Sequence, residues 1–249
     1  MKQGEIDYVK TAGPKAAAEL KGKPFSVPKR GLLLQDIGRM IWHLEPYRGR
    51  LLDMGCGSGW TSIFLAKAGF EVVGVDISPD MIHLAKSALA DYPGTQVDFR
   101  VADYEALSYE AEFNAVVFYD SLHHAEDELL CLEKAYAALR PGGLCICYEP
   151  GEGHAESTKS KEAVQRFGVN EKDMPPRRIM ELGEQVGFEV RQLVGYKYAG
   201  KALRPRRSAL KRYCHKIERC WKILSTSDPF RDESRERNIV LLKKGSADS

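Results

Sequence analysis

The sequence predicts an α/β fold built on a doubly wound, mostly parallel sheet, and three observations carry that expectation. The run Leu51-Leu52-Asp53-Met54 is short and apolar, and it leads into three glycines at alternate positions, Gly55, Gly57 and Gly59. A second apolar run closes on an acid, Asp76, nineteen residues after Gly57. From there to about residue 150, apolar runs of strand length alternate with stretches of helical periodicity. That alternation is the signature of a parallel sheet covered on both faces.

Residues 1–45 stand outside this alternation and read as an N-terminal helical cap, with residues 46–249 as the main domain. Residues 15–20 are alanine-rich and helix-prone. After Pro28, the positions Leu32-Leu33-Leu34, Ile37, Met40-Ile41 and Leu44 recur at helical spacing until Pro46 stops them. Tyr8 and Lys23-Pro24-Phe25-Ser26 are candidates for a lid. The first strand and glycine loop are followed by a helix over 60–68 and a strand over 71–75. Ser78, Pro79 and Asp80 mark the next helix start, supplying a cap, a preset φ and a charge suited to the positive end of the dipole. Periodicity predicts a helix over 126–139, stopped by Pro141-Gly142-Gly143, then a strand over 144–148. Residues 151–176 are polar and irregular, with a helix near 157–167, and lie where such folds shape a pocket. A helix over 177–186 and strands over 188–196 and 238–242 complete the domain, with residues 245–249 frayed.

The glycine loop suggests the ligand. Glycine is needed where backbone must turn sharply and lie flat against a bound molecule. The helix that follows adds unpaired amide donors. Asp76, delivered beside the loop, suits the hydroxyls of a ribose. A dinucleotide fingerprint requires a third glycine where this chain has Trp60, whose indole would obstruct a pyrophosphate. Asp53 would also repel phosphates. S-adenosylmethionine, which has no phosphate and carries an ammonium beside a carboxylate, fits better.

At this point the chain resembles the class I S-adenosylmethionine-dependent methyltransferases, small-molecule branch. Residues Val72 to Met81 look like that family's second strand and helix start, Val101-Ala102-Asp103 like its third-strand acid, and Phe113 to His124 like its fourth strand. Leu139-Arg140-Pro141-Gly142-Gly143 looks like the turn into its fifth. The resemblance implies a Rossmann-like seven-stranded sheet, mostly parallel, with the last strand antiparallel. It also implies S-adenosylmethionine as cofactor. Asp53, Gly55, Cys56, Gly57 and Gly59 would surround the methionine end, Asp76 would bind the ribose and Ile77 would lie against adenine, with Met81 following. Asp103 would accept from the adenine amino group beside Tyr104, and Asp120 would face the methionine moiety. His123, then His124, are the candidate general bases, with Glu149 beside them, because all three follow the strands that face the transferred methyl.

Composition bounds the rest. With 249 residues, 43% of them hydrophobic, and a net charge of +2, the chain fits a soluble globular protein with no global case for nucleic acid. No signal peptide or membrane-length apolar run is visible. The six scattered cysteines suggest a reducing cytoplasm. Neither Cys214-His215 with Cys220 nor His124 with Glu126 and Asp127 makes a recognisable metal pattern, so no metal is expected. Residues 201–222 hold nine Lys or Arg and one acid, with Leu210, Tyr213, Ile217, Trp221 and Leu224 at helical spacing. A basic helical insertion over about 200–230 follows. It leaves open a packed helix with a solvated face, an anionic small acceptor, peripheral contact with an anionic surface, or RNA. The sequence lacks the Asn/Asp-Pro-Pro-aromatic motif of base amino-methylating enzymes and a nucleophilic cysteine after the fourth strand. The expected acceptor is therefore an O or N atom of a small metabolite, a saccharide or natural-product precursor among them. An RNA or protein methyltransferase, or a non-catalytic binding protein of this fold, remains the alternative.

Overall fold

In a computed structural model of the protein, residues 2–192 and 238–246 are described; the basic segment 201–222 lies outside them. Seven strands form one sheet: β1 (Arg50–Met54), β2 (Glu71–Asp76), β3 (Val97–Val101), β4 (Phe113–Tyr119), β5 (Leu139–Glu149), β6 (Glu189–Gln192) and β7 (Asn238–Lys243). Their order is β3-β2-β1-β4-β5-β7-β6. The first five strands pair in parallel, and β7 runs antiparallel between β5 and β6. The predicted doubly wound sheet with an antiparallel last strand is thus the observed one.

The strands are apolar on both faces because both are covered. Successive side chains alternate across the pleat. Leu51, Val72, Ala115, Val117 and Ile146 meet α3 (Arg30–Leu44) and α4 (Trp60–Lys67) on one face. Leu52, Val73, Val116, Phe118 and Cys145 meet α6 (Glu128–Ala138) and α8 (Pro176–Val186) on the other. Ile82 and Ala85 of α5 (Pro79–Leu89) extend the first layer around Phe99 of β3.

Two boundaries differ from expectation for identifiable reasons. The helix expected from residue 126 starts at Glu128, because the Asp127 side chain accepts from the Leu130 amide and takes the cap position. The strand expected from residue 144 starts at Leu139. There the 139–143 turn pairs onward with the neighbouring strand, Lys244 N donating to Gly143 O at 2.9 Å. A register shift against β4 between Phe113 and Ala115 accommodates the extra residues.

The N-terminal cap is more helical than expected. α1 (Lys2–Ala12) precedes α2 (Pro14–Lys21), the two broken by Gly13 at φ +84°. Side chains of the main domain tie both helices down across the carboxyl ends of the strands. Ser78 Oγ donates to Ile6 O at 2.8 Å, and Ser58 Oγ donates to Leu20 O at 2.7 Å. Tyr8 packs edge-on against Phe167 of α7 (Thr158–Phe167).

The glycine loop is held by packing as well as by conformation. Gly59 opens α4 at φ +78°, and a Cβ there would stand 2.5 Å from Phe99 Cζ and 2.8 Å from Ala85 Cβ. Gly59→Ala should therefore combine left-handed strain with overpacking, a loss of about 2 kcal/mol. The midpoint of urea unfolding, at unchanged slope, checks this.

Candidate functional site

A cavity of about 280 Å³ opens where the glycine loop, the ends of β2 and β4 and the N-terminal cap converge. Asp76 organises its floor. Gly57 N donates to Asp76 Oδ2 and Ser78 N to Asp76 Oδ1, each at 2.9 Å, so one carboxylate fixes both the loop and the start of α5. Burial pushes its pKa up to about 6 against the pull of those two amides. Gly55 N and Cys56 N both donate to Val75 O at 2.9 Å, seating the loop on β2.

Of the residues expected at the cofactor, Gly55, Cys56, Gly57, Asp76, Ile77, Met81, Asp103, Tyr104 and Asp120 line this cavity. Asp103 Oδ1 accepts from Glu105 N at 3.0 Å, and its Oδ2 takes the Lys2 ammonium at 2.6 Å. Tyr104 donates its hydroxyl to Ser121 O at 3.1 Å, and burial raises its pKa well above the ordinary value. Asp120 stands at φ +56°, a left-handed conformation rare for a residue other than glycine. Such strain persists where the surroundings dictate it, and here the residue lies on the cavity wall.

Two expected cofactor contacts lie elsewhere. Asp53 is buried beneath the loop, where Oδ2 accepts from Thr61 Oγ1 at 2.7 Å and Ser62 Oγ at 2.6 Å. Its carboxylate therefore ties β1 to the first turn of α4 and does not line the cavity. Burial raises its pKa while the two hydroxyls oppose the shift. Gly59 likewise faces Phe99 and Ala85.

The three candidate catalytic residues separate. His124 lines the cavity, whereas His123 and Glu149 are buried behind it. Glu149 Oε1 accepts from Ser121 N at 3.0 Å and Leu122 N at 2.9 Å, and its Oε2 meets His123 Nδ1 at 2.7 Å. Glu149 is thus the anchor of the 3-10 turn Leu122–His124. His124 Nδ1 meets Asn170 O at 2.5 Å and lies 3.3 Å from Glu5 Oε1. Burial opposes charging of His124, but the Glu5 carboxylate prevails and lifts its pKa to about 9.

The sequence reading missed the groups contributed from a distance. Glu5 and Lys2 arrive on α1, and Glu171 arrives on the loop after α7; all three line the cavity. Glu171 Oε2 accepts from His154 Nε2 at 2.5 Å and stands 3.9 Å from His123 Nε2. His154 lies in the polar stretch 151–176. No local motif marks Glu171; its place follows from the loop returning across the turn at His124, where Asn170 Nδ2 donates to His124 O at 2.9 Å.

Residues 51–143 match a family model described as a methyltransferase domain. A ubiquinone biosynthesis O-methyltransferase of Ruegeria pomeroyi is 33% identical over 155 residues, which is 58% of this chain and 62% of that protein. A protein of the same name from Cereibacter sphaeroides is 40% identical over 104 residues, covering 41% of this chain and 42% of that one. The chain thus spans less than two thirds of either relative. Among solved structures, a Haemonchus contortus phosphoethanolamine N-methyltransferase 2 holding S-adenosyl-L-methionine aligns with a TM-score of 0.63 at 20% identity, over 99% of this chain and 60% of that one. The magnesium protoporphyrin IX methyltransferase of Synechocystis PCC 6803 with bound SAH aligns with a TM-score of 0.57 at 20% identity, over 87% of this chain and 84% of that one. At that identity the likeness is one of fold.

Proposed function

We propose that this chain is a class I S-adenosylmethionine-dependent methyltransferase, built on the domain matched at residues 51–143, and that it moves a methyl group from S-adenosylmethionine to an oxygen of a small-molecule acceptor. One observation carries the reading. Asp76, at the end of β2, is hydrogen-bonded to the glycine loop and faces the same cavity as Asp103, Tyr104 and Asp120. That donor and acceptor set fits the cofactor. Asp76 suits the ribose diol, and Ile77 and Met81 offer apolar walls to adenine. Gly57 leaves open space where a side chain would intrude, since nothing stands within 4 Å of the Cβ it lacks. The set contains no cluster for a pyrophosphate, and Trp60 stands where a dinucleotide fold needs glycine.

The bound sulfonium supplies an electrophilic methyl group. Transfer to a hydroxyl yields a methyl ether, a neutral thioether and one proton. The protein's part is to hold the two reactants in line, which makes the step effectively unimolecular, and to help the hydroxyl lose its proton. We assign that help to the corner formed by His123, His124 and Glu171, where β4 ends beside the loop after α7. Glu149 is a positioning residue that holds the turn. The relatives named for O-methylation support oxygen over nitrogen as the methylated atom. Residues 151–176 and the N-terminal cap form the acceptor side of the cavity. No described helix is long and apolar enough to cross a membrane; we place the protein in the cytoplasm on its scattered cysteines.

Calorimetry with S-adenosylmethionine and its demethylated product tests the reading. Micromolar binding of both is expected, and absence of binding by folded protein would overturn it. A panel of hydroxylated small molecules with radiolabelled cofactor then identifies the acceptor.

A further inference from the structure

We propose that His123, His124 and Glu171 form a binding site for one divalent transition-metal ion of the zinc kind, with an open position facing the cavity. Their ligand atoms already lie within 4.8 Å of one another, and His123 Nε2 is 3.9 Å from Glu171 Oε2. Donors about 2 Å from a tetrahedral ion stand a little over 3 Å apart, so the three side chains would draw together to close the site. Two imidazoles with one carboxylate suit such an ion better than magnesium, which prefers oxygen ligands and its own waters.

The surroundings of these residues make the second observation. An imidazole that binds a metal through one nitrogen usually donates from the other to a carboxylate or a carbonyl, which fixes its tautomer and orientation. Both do so here. His123 Nδ1 is held by Glu149 at 2.7 Å, which leaves Nε2 to face Glu171. His124 Nδ1 is held by Asn170 O. Charge points the same way. Glu5, Glu149 and Glu171 crowd this corner, and each has an imidazole as an ion-pair partner. A dication would neutralise that group of carboxylates. It would also compete with His154 for Glu171.

His124 and Glu171 line the cavity while His123 closes the site from behind, so the remaining coordination position points to where an acceptor would lie. This use of the site rests on the methyl-transfer reading. The acceptor class then becomes one that offers a hydroxyl oxygen as a metal ligand, and coordination makes such a hydroxyl more acidic. The sequence does not bring Glu171 to this corner, because it lies 47 positions beyond His124.

The test is titration of the full chain with Zn²⁺ and with Co²⁺ in the absence of S-adenosylmethionine. One equivalent should bind, Mg²⁺ should bind far more weakly, and bound Co²⁺ should absorb in the visible without a thiolate charge-transfer band. Glu171→Gln and His124→Ala, checked for folding by circular dichroism, should each weaken Zn²⁺ at least tenfold. His123→Ala is a poorer probe because it strips Glu149 of a buried partner. Absence of stoichiometric binding, a thiolate band, or unchanged affinity in both variants would overturn the site. Cofactor calorimetry is read separately, so either idea can fail while the other stands.

Discussion

Asp76→Ala is expected to weaken S-adenosylmethionine binding by tenfold to more than a hundredfold. A hydrogen bond to a charged group contributes about 1.5–3 kcal/mol, and each 1.4 kcal/mol is about tenfold in affinity. The substitution removes the carboxylate expected to receive the ribose hydroxyls. It also releases Gly57 N and Ser78 N, the two amides Asp76 now holds, so the loop loses its brace together with the ligand contact. The same residue makes binding pH-dependent. Its pKa of about 6 in the free protein means that the carboxylate is ionised above that value and protonated below it. A ligand that binds the ionised form must expel the proton at lower pH. Affinity should therefore be flat above about pH 7 and fall below about pH 6, by up to tenfold per pH unit, and Asp76→Ala should remove that slope. Calorimetry from pH 5 to 8 measures both. Equal affinity in the variant, or a slope that survives it, would remove Asp76 from the ribose site.

How much of this was legible in the sequence depends on how local the signal is. The order of strands and helices was legible from Leu51 to Phe188 because apolar periodicity and caps such as Ser78 are short-range. The cofactor side was legible for the same reason: Gly55, Gly57 and Asp76 form one βαβ unit. Asp53, expected at the methionine end, lies beneath the loop. A strand acid before glycines looks alike whether it faces ligand or core, and only the hydroxyls of Thr61 and Ser62 decide the matter. The acceptor corner was the least legible. His123 and His124 are adjacent in sequence, yet one backs onto Glu149 and the other meets Glu5 from the far end of the chain. Neither Glu5, 119 positions before His124, nor Glu171, 47 positions after it, carries a local motif, because contacts between distant segments leave no spacing to read.

Glu149→Ala is expected to be the most destabilising single change near the site, at about 3 kcal/mol. Each buried donor left without an acceptor costs about 1–3 kcal/mol. Here Ser121 N, Leu122 N and His123 Nδ1 all lose their partner. Glu149→Gln should cost less, since its carbonyl oxygen can still accept from Ser121 N and Leu122 N, while its amide faces the His123 ring and selects the other tautomer. The damage should also reach the cavity. Asp120 is held at φ +56° between Tyr148 O, which accepts its amide, and the Ser121 turn that Glu149 anchors. Freed of that anchor, Asp120 can relax toward ordinary backbone and Ser121 can shift against Gly55. Cofactor affinity should then drop in Glu149→Ala even at temperatures where the protein remains folded, with Glu149→Gln intermediate. Urea unfolding gives the first quantity and calorimetry the second. A stability loss under about 1 kcal/mol, small against the cost of even one orphaned donor, would show that the turn holds its shape without this carboxylate.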